Sequence, residues 1–278
     1  MPELPEVETI KRGLERAILG HKITAVLVLE KRSVLPSVLA FRRGLIGDKI
    51  ARIDRRGKYL IFMLSGGRTL IGHLRMTGQL VFDSTGELEL PRLPTGRQTY
   101  ARVIIEFASG AKLYFNDIRK FGRLELLPKN NKQALLPRVG IDFLELTLLE
   151  FQEAMRRRPR ANIKAVLLDQ RFFSGVGNIY ADEVLYAARI IPSRSVGSLR
   201  DGEITALYLA TQSILKSSIK HGGTSFSDYV DASGKQGSFV RLLRVYGRYG
   251  APCKKCRTPI KKTRLAGRGT HYCEKCQK

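Results

Sequence analysis

The chain has 278 residues, 43% of them hydrophobic, which is enough for two globular domains and excludes a disordered protein. Its 49 basic and 25 acidic residues give a net charge of +24, which excludes cationic partners and favours polyanions. Nucleic acid is the commonest polyanion, and a membrane surface is the alternative, although no basic amphipathic helix with a wide apolar face stands out. No apolar run is long enough to span a membrane and no secretion leader is visible, so we expect a cytoplasmic protein.

The first residues combine a proline with a carboxylate at the start of a predicted helix. Apolar residues recur there at helical spacing: Val7, Ile10, Leu14 and Ile18. If Met1 is removed, Pro2 carries a secondary amine, and the partial positive charge of a helix start disfavours its ammonium form. A neutral secondary amine can attack an aldehyde carbon to give an iminium, which acts as an electron sink. The alternative is that Pro2 is only an early helix residue.

Period-two alternation follows this helix and predicts a series of short strands. They cover 22–30, 49–54, 59–64, 69–74, 79–82, 100–107, 112–116 and 122–126. Hairpin turns are predicted at 65–67 and 109–110, where glycine follows serine. Short strands with tight turns predict an antiparallel sandwich or barrel. The stretch 83–98, rich in Gly and Pro, is predicted to be a long exposed loop.

The helical period returns after the polar stretch 128–132. It predicts helices over 147–157, 161–170, 178–188 and 202–220, followed by a mobile loop over 227–239. A domain boundary is expected between about 128 and 148. The prediction is therefore an α+β chain with a β-rich domain at 2–135, a helical domain at 136–240 and a cysteine-containing unit at 241–278.

All four cysteines lie near the end of the chain, in two CxxC pairs. They are Cys253, Cys256, Cys273 and Cys276. This spacing is typical of one structural Zn²⁺ ion bound by four thiolates, which leave no open coordination position. Two disulfides are the alternative, and they would suit a secreted domain. Arg268, between two glycines, is predicted at a hairpin tip, either as a phosphate contact or as a solvated turn residue.

Two further motifs suit the binding of phosphate. The turn 174–178 joins two predicted helices through Gly175 and Gly177, and the next helix offers free N–H groups to a phosphate. A plain interhelical turn is the alternative. Lys58 ends a basic cluster at 55–58, where it could protonate a leaving group or hold a phosphate, or where the cluster could simply be a solvated strand end.

Met76 and Phe121 are apolar residues in otherwise polar turns. Phe121 lies two residues after Arg119. An apolar wedge beside an arginine is the combination that fills the space left by a base rotated out of duplex DNA. The alternative is that both residues belong to the hydrophobic core.

Together these motifs resemble the formamidopyrimidine-DNA glycosylase family over essentially the whole chain. The matching segments are 2–9, 56–60, 73–78, 117–122, 168–170, 175–180, 245–248 and 267–273. The resemblance implies an N-terminal antiparallel β-sandwich with a leading helix, a helical domain with a helix–two-turn–helix, and a C-terminal zinc finger. It also implies a bifunctional DNA glycosylase/AP lyase of base excision repair. Such an enzyme removes 8-oxoguanine and formamidopyrimidines from double-stranded DNA and cuts the strand by β,δ-elimination.

The resemblance also implies roles for individual residues. Pro2 matches the nucleophile that attacks C1′, Glu3 the essential acid, Glu6 a supporting carboxylate, and Lys58 a catalytic lysine near the lesion's phosphates. DNA contacts are implied for His73, Met76, Arg119, Phe121, Lys164, Asn178 and Arg268. The loop 227–239 matches the segment that closes over the flipped base. The expected protein is a monomer that binds one Zn²⁺ and no membrane.

Three other functions compete with this interpretation. Endonuclease VIII, a close relative that prefers oxidised pyrimidines, usually begins Pro-Glu-Gly, whereas Leu4 follows Glu3 here. A non-catalytic protein that binds damaged DNA would share the charge and the cysteines but would not need Pro2. An RNA-directed protein would not need the wedge. The chain departs from the family pattern at Glu274, at Arg257 and in the segment 140–144, which concerns structure more than chemistry.

Overall fold

The computed structural model describes residues 1–86, 100–129 and 139–278. They form two compact units, Met1–Leu135 with His221–Ser238, and Leu136–Lys220 with Phe239–Lys278. Most of the predicted loop 83–98 and part of the predicted boundary 128–148 lie outside the described residues. The three-way division at 135 and 240 stays a prediction. In the described part of the chain, no helix has the length and apolarity needed to cross a membrane.

The N-terminal unit is built from two sheets and two helices. Its elements are α1 (Leu4–Ile18), β1 (Ile23–Val28), β2 (Val34–Leu35), α2 (Val38–Leu45), β3 (Ile50–Arg56), β4 (Tyr59–Leu64), β5 (Thr69–His73), β6 (Gly78–Asp83), β7 (Ala101–Phe107), β8 (Lys112–Asp117) and β9 (Arg123–Leu127). One sheet has the order β1-β7-β8-β6 and the other β2-β9-β5-β4-β3. The strands pair antiparallel, except that β2 runs parallel to β9.

Both sheets bury alternate residues in one shared core. Leu60 and Phe62 of β4 and Leu113 and Phe115 of β8 belong to it, and the apolar face of α1 packs against it. This confirms the predicted sandwich with a leading helix. The pair β2 and α2 was not predicted, because two and eight residues are too short for a clear periodicity.

The C-terminal unit is mainly helical. Its elements are β10 (Ile141–Asp142), α3 (Leu148–Arg156), α4 (Ile163–Leu168), β11 (Phe173–Ser174), α5 (Asn178–Ala187), α6 (Asp201–Lys220), β12 (Lys261–Leu265) and β13 (Arg268–Tyr272). Its core includes Phe143, Phe151 and Phe173, whose ring centroids lie 5.0–6.1 Å apart. The four predicted helices are confirmed to within about two residues at most ends, and the short parallel pair β10–β11 was not predicted.

Strands β12 and β13 form an antiparallel hairpin beside the cysteines. Its two turn residues, Ala266 and Gly267, have φ of +47° and +72°, as a type I′ hairpin turn requires. Arg268 is the first residue of β13 and is exposed. The predicted hairpin is present, but its turn lies one residue earlier than the glycine pattern indicated, so Arg268 directly follows the tip instead of occupying it.

Candidate active site and DNA-binding residues

The first turn of α1 places Pro2 directly before the residue that caps the helix. Glu3 is this N-cap, and its main-chain N–H donates a hydrogen bond to Oε2 of Glu6 at 2.8 Å. This is the bond that the third helical residue makes to the cap in a capping box. Pro2, Glu3 and Glu6 are buried, whereas Met1 is half exposed. Removal of Met1 would therefore leave an amine at a backbone position that the helix cap already fixes.

Glu8, one turn further along α1, reaches the turn that carries Lys58. Its Oε2 accepts a hydrogen bond from Nε of Arg55 at 2.8 Å, and Arg55 donates a second bond to the carbonyl of Gly57 at 2.9 Å. Burial alone would raise the pKa of Glu8, but hydrogen bonds from Arg55 and Arg12 hold that pKa below its ordinary value. Gly57 has φ of +56°, which favours glycine, and Lys58 follows it in a buried position.

His73 ends β5 close to this lysine. Its ring lies edge-on to Tyr59, with centroids 4.4 Å apart, and its Nδ1 accepts a hydrogen bond from the N–H of Arg75 at 2.9 Å. Burial, together with the positive charges of Arg75 and Lys58, lowers the pKa of His73 to about 3. The imidazole is therefore neutral at physiological pH, with its proton on Nε2.

Asp117 holds together the two turns that contain the predicted wedge residues. Its carboxylate is fully buried and accepts hydrogen bonds from the N–H of Gly122 at 2.6 Å, from the N–H of Arg119 at 3.1 Å, and from the hydroxyl of Thr77. One side chain thus fixes the turn after β8 against the turn after β5. Such a carboxylate is strongly constrained, since each bond is charge-assisted.

The three wedge residues project from these turns. Met76 is 38% exposed and Phe121 is 50% exposed, so neither belongs to the core. The guanidinium of Arg119 lies 4.7 Å from the centroid of the Phe121 ring, which is a cation–π distance. The structure therefore places apolar and cationic groups on the surface of two turns that a common carboxylate fixes.

In the C-terminal unit, Asn178 is the first residue of α5 and lies next to the β12–β13 hairpin. Its Nδ2 donates a hydrogen bond to the carbonyl of Gly269 at 2.9 Å, one residue after Arg268. The turn before α5 is held by Gln170, whose amide bonds to the carbonyl of Val176 and to the N–H of Gly175. Asn178 and the Arg268 backbone are therefore held in one arrangement.

Lys164, predicted to contact DNA, has no exposed surface. Its Nζ lies 2.6 Å from Oδ1 of Asp182 and donates hydrogen bonds to Oγ1 of Thr270 and the carbonyl of Gly269. Asp182 is also fully buried, and its Oδ2 accepts the N–H of His271 at 2.8 Å. The prediction of a direct DNA contact is corrected here, because the ammonium group of Lys164 forms a buried ion pair with Asp182. This pair holds β13 in place.

The four cysteines converge as a metal site requires. Their sulfur atoms all lie within 4.8 Å of one another, with Sγ–Sγ distances of 3.9 Å for Cys253–Cys276 and 3.4 Å for Cys256–Cys273. A tetrahedral zinc–thiolate site has sulfurs about 3.8 Å apart, whereas a disulfide has them about 2 Å apart. The four side chains therefore fit one structural Zn²⁺, and the disulfide alternative is wrong.

Comparison with known proteins gives the same family along the chain. Residues 1–124 match the formamidopyrimidine-DNA glycosylase N-terminal domain, residues 143–230 match its H2TH domain, and residues 250–278 match the zinc finger found in FPG and IleRS. The chain belongs to the formamidopyrimidine-DNA glycosylase family.

Individual relatives match over their full length. The formamidopyrimidine-DNA glycosylase of Carboxydothermus hydrogenoformans is 44% identical over 280 residues, and that of Pelotomaculum thermopropionicum 42% over 282, with at least 99% of each protein covered. A complex between a Lactococcus lactis Fpg mutant and a Fapy-dG-containing DNA has a TM-score of 0.87 at 36% identity, with both chains fully covered. A complex of Lactococcus lactis Fpg with abasic-site DNA has a TM-score of 0.86 at 36% identity and 99% coverage of both chains.

Some residues that shape this glycosylase were not found from the sequence. Asp117 and Glu8 lie in motifs that were noticed, but each has one partner far along the chain, Thr77 for Asp117 and Arg55 for Glu8. Glu183 of α5 accepts main-chain N–H bonds from Arg244, Val245 and Tyr246 at 2.8–2.9 Å, although burial still raises its pKa. It fixes the segment that leads into the zinc finger. The matching motif at 245–248 was the available signal, but it did not identify the carboxylate.

Proposed function

We propose that this DNA glycosylase of base excision repair removes oxidised purines from duplex DNA through the amine of Pro2, and that it also acts as an AP lyase. The observation that supports this most is the buried Pro2 directly before a helix cap, where Glu6 bonds to the N–H of Glu3. The Lactococcus lactis relatives were crystallised with DNA containing Fapy-dG or an abasic site, which fits both activities.

The proposed chemistry begins at C1′ of the damaged nucleotide. The lone pair of the Pro2 nitrogen forms a bond to C1′ while the bond between C1′ and the base breaks. The proton of the Pro2 nitrogen passes to the base, which leaves as a neutral molecule, and the nitrogen keeps a lone pair for the next step. Glu3 donates a proton to O4′ as the sugar ring opens, which leaves a cationic iminium between Pro2 and C1′. Proline gives this cation without an extra proton, so the iminium can accept the electrons of the next step.

Strand cleavage follows by two eliminations. Loss of a proton from C2′ expels the 3′-phosphate, and a second elimination expels the 5′-phosphate. Lys58 would hold or protonate a phosphate oxygen, and the neutral His73 beside it avoids adding a second positive charge. Met76, Arg119 and Phe121 would occupy the space that the flipped base leaves.

The C-terminal unit would supply the grip on the DNA backbone. Asn178 and Arg268 would each contact a phosphate, and the zinc finger would hold the hairpin that carries Arg268. We place the protein in the bacterial cytoplasm, because its relatives are bacterial and its substrate is DNA. We also expect it to act as a monomer.

The test is borohydride trapping on a duplex that contains 8-oxoguanine. Reduction should convert the iminium into a stable covalent adduct. The yield of this adduct should be much lower for Pro2→Gly, because a primary amine gives an imine that is cationic only after protonation. Circular dichroism and DNA binding should be unchanged in the variant. Absence of an adduct on both lesion and abasic duplexes would instead favour a non-catalytic protein that binds damaged DNA.

A second substrate class comes from one structural relative. The wild-type Lactococcus lactis Fpg was crystallised with an oxidised-pyrimidine-containing DNA, at 36% identity to this chain. A panel with 8-oxoguanine, formamidopyrimidine and oxidised pyrimidine duplexes decides between the two classes. We expect the purine lesions to be removed faster, and the reverse order would make the enzyme functionally similar to endonuclease VIII.

A further inference from the structure

One carboxylate joins the start of α1 to the segment His221–Ser238, which belongs to the same unit but lies more than two hundred residues later in the chain. Oε2 of Glu6 accepts the N–H of Glu3, and Oε1 of the same side chain accepts the N–H of Thr224, both at 2.8 Å. Glu6 is 1% exposed, so water does not compete for either bond. The same carboxylate therefore fixes both the residue after Pro2 and the position of Thr224, so the segment is held at a defined place relative to Pro2.

Tyr229 ties the same segment to α1 a second time. Its side chain is buried in the core of the N-terminal unit, and its hydroxyl donates to the carbonyl of Gly222 at 3.0 Å, with the carbonyl of Glu6 at 3.4 Å. Burial and the nearby charge of Glu6 raise the pKa of this phenol. The hydroxyl thus keeps its proton and remains a donor to the two carbonyls.

The backbone between these contacts is packed too closely for side chains. Gly223 has φ of +85°, and a Cβ there would lie 3.0 Å from Oε1 of Glu6 and from Cε1 of Tyr229. A Cβ on Gly237 would lie 2.2 Å from the carbonyl oxygen of Gly223. These approaches require glycine, and they indicate that the segment seats in one defined position against α1.

The remainder of the segment is anchored at its far end. The N–H of Phe82 in β6 donates to the carbonyl of Ala232 at 2.8 Å, and the side chain of Ala232 packs in the core. Gly13 of α1 leaves room for it, because a Cβ on Gly13 would lie 2.7 Å from Cβ of Ala232. The loop 227–239, which the sequence predicts to be mobile, is thus held in the structure at Tyr229 and at Ala232.

We propose that Tyr229 is a positioning residue that couples the base-covering segment to the Pro2 amine. This inference rests on the proposed function of Pro2. It also rests on the resemblance of the loop 227–239, which overlaps the segment His221–Ser238, to the family's loop that closes over the flipped base. The coupling is needed when a damaged base must be held while C1′ is attacked. A preformed abasic site has no base to cover, so its cleavage depends on Pro2 but not on the seat of this segment.

The test is Tyr229→Phe, which removes one hydroxyl and keeps the buried ring. Single-turnover excision of 8-oxoguanine should slow by about two- to tenfold, the worth of one net hydrogen bond, while cleavage of an abasic duplex stays within about twofold. Tyr249→Phe is the matched control, because Tyr249 is 69% exposed in the C-terminal unit, and it should change neither rate.

A second measurement separates this inference from the proposed function. Amide hydrogen exchange in the DNA-free enzyme should be faster over 222–225 in Tyr229→Phe than in the wild type, and unchanged in Tyr249→Phe. This result does not depend on any glycosylase activity. Unchanged exchange over 222–225, or equal slowing on lesion and abasic duplexes, would overturn the coupling role of Tyr229.

Discussion

The two units position their functional groups by different physical means. In the N-terminal unit, single carboxylates accept backbone N–H groups: Glu6 serves the start of α1 and Asp117 the wedge turns. In the C-terminal unit, a fully buried ion pair and a four-cysteine metal site hold the hairpin that carries Arg268. Hydrogen-bonded carboxylates fix a local geometry, whereas an ion pair and a metal also determine whether the unit folds. Substitutions at the ion pair or at the metal site should therefore lower the stability of the C-terminal unit, whereas Pro2 should be replaceable without loss of the fold.

The largest effect is expected for Lys164→Met. The variant leaves Asp182 charged and buried without its ammonium partner, so the free energy of unfolding of the C-terminal unit should fall by about 3–5 kcal/mol. Urea unfolding of the zinc-loaded protein measures this. The same protein, under conditions where it remains folded, should still form the borohydride adduct.

The ion pair Lys261–Glu274 provides the control for Lys164. Both of its side chains are about half exposed and water screens their charges, so Lys261→Met should change the free energy of unfolding far less than Lys164→Met. Equal losses in the two variants would show that the buried pair does not hold the C-terminal unit in the way the comparison requires.

An intermediate effect is expected from mild acid on the N-terminal unit. His73 has a pKa of about 3 in the folded protein against an ordinary value of 6.5, so below pH 6.5 the unfolded chain binds a proton that the folded chain does not. The contribution of His73 is complete above pH 6.5 and is lost as the pH falls towards 3. Stability should decrease by about 1–2 kcal/mol between pH 7 and pH 5.

His73→Asn isolates this effect, because asparagine keeps an acceptor for the Arg75 N–H and does not titrate. Glu8 and Glu203 have lowered pKa values, and their contributions begin to fall only below their ordinary value of 4.5. The difference between wild type and variant in urea unfolding at pH 7 and pH 5 therefore reports on His73, because the zinc site contributes equally to both proteins. If the variant loses as much stability as the wild type, the neutral His73 is not the cause.

The smallest effect is expected for Arg268→Ala, which removes one exposed cation and no buried contact. The slope of log affinity against log salt concentration should become shallower by about 0.9, the value for one lost phosphate contact. Arg264→Ala removes the same charge from the neighbouring strand and is the matched control. Similar slopes for both variants would indicate general charge attraction in place of a specific anchor at Arg268.

Local patterns predicted the elements, and long-range contacts escaped prediction. The alternation over β4 gave its residues 59–64 correctly, and the CxxC spacing predicted the zinc site, because both signals lie within a few residues. The bond between Glu6 and Thr224 joins residues 218 positions apart and has no local signature. Lys164 illustrates the same limit, since its sequence position gives no sign that Asp182 and Thr270 bury it.

The central claim is that the Pro2 nitrogen becomes bonded to C1′ of the damaged nucleotide. Peptide mapping by mass spectrometry of the borohydride-trapped complex tests it directly. The predicted result is an N-terminal peptide that lacks Met1 and carries the reduced sugar on Pro2. An adduct on Lys58 or another lysine, or active enzyme that retains Met1, would contradict the account.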